Sequence, residues 1–444
     1  MRRPTSYLEA VHRARPATAR RRSPGLLPLT GSIMEALPLV RVRRVASALL
    51  LVAGVGLLAR TANAQRIPDR LDDATFWRMM NEMSEPWGVF RSENFVSNET
   101  SYQWIIPEIQ RTVKPGNVYL GVAPDQNFTY MVALKPSIAF IVDIRHQNAM
   151  QHLMYKALME TSKTRAEFLA KLFARPALQS VDTSSTVVAL FDALANTKPD
   201  SALYRDNLRG IVDQLTKTHG FALSDSERVS LNCVYGAFFS QGPTLTYNYG
   251  SECRNNGGFY GGMPGGGRGG RGGGGSRGGG FGGMPSYLSM MTEMDGEQVD
   301  HGYLATEANY RVLKNMEERN LIVPLTGNFA GNKALRAVGQ YARDRDAKIG
   351  AFYVSNVEQY LFMQGDEAAQ FYRNVATLPL DESSTFIRSY SMGGRGGFGG
   401  QVTLNLKQQS GRSVQLISPI QEMLKAFEGG QIAQYVQVIG LSHQ

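Results

Sequence analysis

The chain has 444 residues, with 47 Lys or Arg against 38 Asp or Glu and a net charge of +9. Eleven of the arginines but only two acids, Glu9 and Glu35, fall within residues 1–64, so the rest carries 36 charges of each sign and sums to zero. A chain with no overall field is not drawn to polyanions, which excludes a general nucleic-acid or anionic-surface binder.

Arg41, Arg43 and Arg44 precede an apolar run from Val45 to Ala59, and Ala62-Asn63-Ala64 supplies a small-x-small cleavage site. This pattern predicts an export signal cleaved before Gln65, with Met34 as the expected start of translation. The run is shorter than the roughly 20 residues that span a bilayer, so no stable membrane anchor is expected after cleavage. The expected compartment is periplasmic or extracellular, where Cys233 and Cys253 are expected to pair as a disulfide. Two cysteines with no histidine nearby do not make a four-ligand zinc site.

After the leader, residues 65–145 read as an N-terminal segment and a first βαβ unit. Ser101 to Gln110 is a predicted helix, followed by the turn Lys114-Pro115-Gly116. The strand Val118–Val122, a helix running to Leu134 and the strand Ile138–Val142, closed by Asp143, complete the unit. Residues 146–240 read as a helical insertion. Met150, Leu153, Met154, Ala157 and Leu158 form an apolar helical stripe, read as core packing. Thr164 with Glu167, and Ser224 with Glu227, are capping boxes, and further helices are expected over Ser184–Ala195, Ser201–His219 and Ser224–Phe239.

Residues 241–305 are a Gly-rich insertion, with 18 glycines between 257 and 283, and Gly393 to Gly400 is a shorter tract. Such stretches predict flexible surface loops. Arg-Gly-Gly repeats with Phe259, Tyr260 and Phe281 resemble RNA-binding segments, but three positive charges in an exported chain are too few, and no nucleic acid is expected. Residues 306–444 form a second βαβ unit with C-terminal strands. Its expected parts are the helix Thr306–Glu318, the strand Leu321–Leu325, the helix Asn332–Asp344 and the strand Ile349–Val354. Strands over Thr385–Tyr390, Val402–Leu406 and Ser413–Ile417, a helix capped at Ser418-Pro419 and a terminal strand Tyr435–Ile439 follow. Together these predict an α/β fold, a Rossmann-like three-layer sandwich with a helical insertion and Gly-rich loops.

In such a sheet ligands bind beyond the carboxyl ends of the strands. Four loops qualify: Gly121–Asn127, Asp143–Asn148, Thr326–Gly331 and Ser355–Glu358. Gly121 in the first turn and Asp143 22 residues on match the arrangement in which an acid accepts ribose hydroxyls. A dinucleotide needs a richer glycine turn, and Asp125 repels phosphates. S-adenosylmethionine has no phosphate and carries an ammonium group, so it suits this loop, with Gly121, Asp125, Asn127 and Asp143 as the expected cofactor contacts. Asp125 and Asp143 also serve simpler ends, as a helix N-terminal charge and a helix cap. No H-E-x-x-H pair, G-x-S-x-G elbow or phosphate loop occurs, so no catalytic residue and no metal is assigned.

Gly121-Val-Ala-Pro-Asp-Gln-Asn-Phe128, Phe140-Ile-Val-Asp-Ile-Arg145, Phe329-Ala-Gly-Asn-Lys-Ala-Leu335 and Phe352-Tyr-Val-Ser-Asn-Val-Glu-Gln-Tyr-Leu361 resemble signature stretches of a bacterial family of unassigned function. The resemblance runs from about Trp77 to Ser389, and its core is similar to class I methyltransferases in strand and loop order. It implies a methyltransferase-like sheet and assigns no catalytic residue; on the first functional reading Asn328, Ser355, Asn356 and Glu358 face the substrate and Asn98 and Glu99 close over the site. The first functional reading is an exported methyltransferase-like protein using S-adenosylmethionine. The alternative is a non-catalytic exported protein that binds another small molecule on the same fold. The sequence sets no substrate and no oligomeric state.

Overall fold

Short runs of β-branched and aromatic residues form the strands of one six-stranded sheet: β1 (Val118–Gly121), β2 (Ile138–Asp143), β3 (Ile322–Thr326), β4 (Ile349–Ser355), β5 (Thr385–Ser391) and β6 (Ser413–Pro419). Every residue of β1 to β4 is buried, as parallel strands covered on both faces require. The computed structural model describes residues 66–88, 90, 94–247, 284–391 and 413–444. The expected leader, its cleavage site, Cys253, the two Gly-rich tracts and the expected strand Val402–Leu406 lie outside the described residues.

The sheet order is β3-β2-β1-β4-β5-β6, parallel throughout except for β6, which runs antiparallel to β5. The chain steps outward from β1 to β3 and then returns to lay β4 against the other side of β1, so the strand order reverses between β1 and β4. This is an α/β fold with a mostly parallel mixed sheet, compatible with a Rossmann-like architecture. In register, Leu120 of β1 lies beside Phe140 and Phe352, and Asp143 beside Thr326. The carboxyl ends of β1 to β4 therefore come out on one edge.

Before the sheet come α1 (Asp73–Glu82), a 3₁₀ turn (Tyr102–Ile105) and α2 (Ile106–Thr112). The predicted helix Ser101–Gln110 is thus split, because Pro107 falls in its first turn and the backbone of Ser101 is left-handed. α3 (Gln126–Leu134) links β1 to β2, and α4 (His146–Glu160) leaves β2. The predicted apolar stripe of α4 is buried, but so are Gln151, His152, Tyr155 and Lys156 on its other faces. The cause is tertiary: the insertion, α5 (Arg165–Leu172), α6 (Val187–Ala195), α7 (Ser201–Asp213) and α8 (Asp225–Gln241), wraps α4, which packs on α8 and β3.

The predicted caps appear at Thr164, whose side chain accepts from the Glu167 amide, and at Ser224, in a complete capping box with Glu227. Each contributes about 1 kcal/mol. α7 runs on into a π-turn (Gln214–Thr218), which ends at Gly220. That turn places His219 between Glu160 and Asp73, at 2.7 Å from each.

The remaining helices are α9 (Tyr287–Met291), α10 (Glu307–Glu318), α11 (Ala334–Arg343), α12 (Val357–Leu361), α13 (Glu367–Val375), α14 (Ile420–Glu428) and α15 (Tyr435–Gly440). α15 corrects the expected terminal strand. The residues over 435–439 favour a strand by composition, but only Val438 and Ile439 are buried, and the Gln437 side chain accepts from the Gln434 amide at 2.8 Å to close a helical first turn. The edge of β6 is met instead by His443, through an isolated bridge to Ile417. No helix among the described residues is long and apolar enough to cross a membrane.

Candidate functional site

A cleft opens over the reversal point, at the carboxyl ends of β1 to β4, and measures about 970 Å³ counted out to its mouth. It lies at the place where open α/β sheets hold ligands. All four loops singled out in the sequence contribute to its wall: Val122 to Pro124, Asp143 to Arg145, Gly327 to Phe329, and Ser355 to Val357. The N-terminal segment adds Asn94, Ser97, Asn98 and Glu99, while Phe90, Tyr247 and Tyr360 add aromatic rings.

Glu99 is the acid at the centre of this wall. Its carboxylate accepts from the Ser355 hydroxyl, from the Tyr353 hydroxyl at 2.7 Å and from Gln126 Nε2 at 3.2 Å. Burial pushes its carboxyl above the ordinary range, and these donors offset only part of that. Two non-glycine residues beside it are left-handed, Ala123 with φ +68° at the end of the β1 turn and Ser355 with φ +54° at the end of β4. A register shift between Tyr353 and Ser355 against β5 accompanies the second. Strain of this kind persists only where the surroundings over-determine it, and it clusters at functional sites.

Asp143 lines the cleft, but its carboxylate is engaged. Arg145 holds both oxygens, through Nε at 3.0 Å and Nη2 at 2.7 Å, and the Arg145 amide adds a third bond at 2.9 Å. The guanidinium also reaches the carbonyl of Asn94, which fixes the N-terminal segment over the sheet. The expected ribose acid is therefore half of a buried ion pair. Asp143 also accepts from the Arg145 amide in an Asx-type turn, but it does not cap the helix that begins at His146, whose N-cap residue is Arg145.

Three expected contacts do not line the cleft. Asn127 is fully buried beneath the β1 turn, where Nδ2 donates to the carbonyls of Val122, Ala123 and Pro124 and Oδ1 accepts from Tyr119. Gly121 is required by that tether, since a Cβ there would lie 1.9 Å from Asn127 Oδ1. Asp125 points away and accepts from Tyr303 at 3.2 Å, in a chain that continues from Tyr303 to Tyr287 at 2.7 Å. Burial pushes its carboxyl up to about 7. The first turn thus presents backbone to the cleft, and its polar side chains serve the fold.

Asn328, Ser355 and Asn356 line the cleft as expected, with Asn98 and Glu99 opposite. Glu358 does not. It is buried against Arg388, which donates to its Oε1 at 3.2 Å and also to Oε2, and it accepts from Tyr372 at 2.7 Å. Ser355 ends β4, whereas Glu358 lies in the first turn of α12, where its side chain is buried.

Other contributors carried weak sequence signals. Arg145 follows Asp143 at i+2, a legible local pair. Gln126, Tyr353 and Ser97 read as ordinary helix, strand and loop residues. Glu85 shapes the loop after β3 by accepting from the amides of Asn328, Lys333 and Ala334 at 3.2, 2.7 and 2.8 Å. It occupies the donors at the start of α11, and a Cβ at Gly331 would lie 2.1 Å from its Oε2. His152 donates from Nε2 to the Ala123 carbonyl at 3.0 Å, and burial lowers its pKa to about 4, so it is neutral. Among the described residues no group of three or more His, Cys, Asp or Glu is placed to hold a metal ion.

Fold and cleft together define an α/β protein with a cleft at the switch point of a mostly parallel sheet. The chain belongs to the family described as a domain of unknown function (DUF7790), whose model matches residues 94–217 and 279–430. The match begins at Asn94, the first residue of the wall segment, and includes all four loops. No curated protein matches the chain.

Proposed function

We propose that this protein is an exported, methyltransferase-like α/β protein that binds S-adenosylmethionine in the cleft and transfers its methyl group to a small-molecule substrate. The observation that carries the reading is the cleft itself, which gathers the loops after β1, β2, β3 and β4 at the strand reversal. The order β3-β2-β1-β4-β5 with an antiparallel strand beyond is the one the methyltransferase resemblance implies. Asp143, at the end of β2, retains acceptor capacity on Oδ2, which takes one bond from Arg145. Asn328 and Phe329 flank the adjacent wall, and Ser355, Asn356 and Asn98 face the substrate side.

Calorimetric titration with S-adenosylmethionine and S-adenosylhomocysteine tests this. Binding of both, weakened in Asp143→Ala, is expected. Absence of binding at sub-millimolar concentration, or equal binding by a folded Asp143→Ala, overturns it. N-terminal sequencing of the exported protein is expected to begin at Gln65.

One observation favours the second reading, a non-catalytic exported binding protein. The Asn127 amide fills the turn after β1, and Arg145 holds Asp143, so two of the four expected cofactor contacts are already engaged within the protein. Binding of another small molecule with no response to S-adenosylmethionine selects that reading.

A further inference from the structure

Among the described residues, Glu99 is a buried carboxylate on the cleft wall with no cation among its hydrogen-bond partners. Its hydrogen-bond partners, Ser355, Tyr353 and Gln126, are all neutral. Among the described residues of the wall, Arg145 is the one positive side chain, and it is committed to Asp143. Against that single guanidinium stand three carboxylates, Glu99, Asp143 and Glu367. Ser389 is a fourth neutral donor to that carboxylate, so none of these hydrogen bonds supplies a countercharge. An ionised carboxylate out of water without a countercharge is costly, and a ligand that supplies the charge recovers that cost. Phe329, Tyr353 and Tyr360 line the same space with aromatic rings, whose faces attract cations. The left-handed backbone of Ser355 aims its hydroxyl at Glu99, which holds the acid in place rather than neutralising it.

We infer that the cleft recognises an organic cation, a sulfonium or a substituted ammonium, whose positive centre is held by Glu99 among the aromatic side chains. The inference rests on the cleft being the ligand site, as the proposed function does, but not on the ligand being S-adenosylmethionine. It also moves cation recognition from Asp125, the acid the sequence suggests, to an acid of the N-terminal segment. Titration at this place belongs to Glu99. Tyr119 on β1, Tyr130 on α3, Tyr353 on β4 and Tyr435 on α15 all feel its charge, and burial raises each of these phenols, so they stay neutral. Asp143 is bound by Arg145.

The test compares charge with shape. The full chain is titrated by calorimetry at about pH 8, where carboxylates are normally ionised. The probes are choline, the uncharged alcohol in which carbon replaces the choline nitrogen, and S-adenosylmethionine. Choline is expected to bind roughly tenfold or more tighter than its carbon isostere, the ratio that one modest charge contact supplies. The preference is expected to fade as acid protonates Glu99, and to vanish in Glu99→Gln. The wild-type comparison needs no variant, so it stands even where Glu99→Gln fails to fold. Equal binding of the isosteric pair, no binding of either, or a preference retained in folded Glu99→Gln overturns the inference. S-adenosylmethionine bound equally by wild type and Glu99→Gln removes the role of Glu99 and leaves the cofactor reading standing. Glu99-dependent choline binding without S-adenosylmethionine binding does the reverse.

Discussion

Replacing Asn127 with alanine separates a structural tether from a ligand contact. The side chain is fully buried, and its Nδ2 donates at 2.8 Å to Val122, 2.6 Å to Pro124 and 3.2 Å to Ala123. Two short bonds at about 1 kcal/mol net each come to about 2 kcal/mol. The change also strands the Tyr119 hydroxyl, which donates to Asn127 Oδ1 at 2.9 Å from a ring only 1% exposed. An unpaired buried hydroxyl adds about 1–2 kcal/mol, so the expected loss is about 3–4 kcal/mol. Tyr119→Phe alone is expected to cost about 1–2 kcal/mol, because it leaves the Asn127 oxygen without its donor. The double variant is expected to lose about 1–2 kcal/mol less than the sum of the singles, since neither partner is then stranded. Guanidinium unfolding followed by circular dichroism, with an unchanged denaturant slope, measures all three. A loss below about 0.5 kcal/mol for Asn127→Ala, or strict additivity in the cycle, refutes the tether.

Three other outcomes follow from the same contacts. Glu358→Ala leaves Arg388, fully buried and paired with that carboxylate, as an uncompensated charge. It is expected to cost about 3–5 kcal/mol in chemical unfolding, and a near-neutral result would contradict the buried pair. His219 lies between Glu160 and Asp73; burial pushes its imidazolium down, but the two carboxylates outweigh that and raise its pKa above the ordinary 6.5. Because the folded value is the higher one, this stabilisation is full below pH 6.5 and is lost as pH rises through the raised value. Melting curves stepped through neutral pH should show that decline in wild type and a flatter one in His219→Gln; identical profiles would remove the linkage. For Cys233 and Cys253, the intact mass is expected to gain no alkylation label until reduction. The crosslink, closing about 20 residues, should contribute about 3 kcal/mol by chain entropy, and labelling without reductant would rule it out.

Much of the architecture was legible because it rests on local patterns. Buried strands read as continuous apolar runs at Val118, Ile138, Ile322 and Ile349, and the caps at Thr164, Ser224 and Thr306 satisfy amides within their own first turns. The four loops at the strand ends were legible for the same reason, since a strand–loop–helix order puts each loop on the carboxyl edge. Tyr435–Gly440 was misread because β-branched composition is decided by packing against neighbours, and the edge of β6 was taken by His443.

The site side chains divide differently. Asp143, Asn328, Ser355 and Asn356 line the cleft because they sit at or just past the carboxyl ends of their strands. Gly121, Asp125, Asn127 and Glu358 belong to the right segments but serve the fold, Gly121 and Asn127 within the β1 turn itself and Asp125 and Glu358 through partners distant in sequence. Tyr303 lies 178 residues from Asp125 and Arg388 lies 30 from Glu358.

By itself the sequence determined the neutral charge of residues 65–444, the α/β order of elements and the edge on which the cleft lies. These follow from composition and from periods of 2 and 3.6 residues, which are properties of neighbouring positions. Only the tertiary structure decided which polar groups remain available on that edge. Glu99 meets Ser355 across 256 residues, and Glu85 meets Ala334 across 249. Whether a carboxylate is neutralised by such a partner or left facing a cleft is a question of three-dimensional proximity and desolvation, on which residue spacing carries no information.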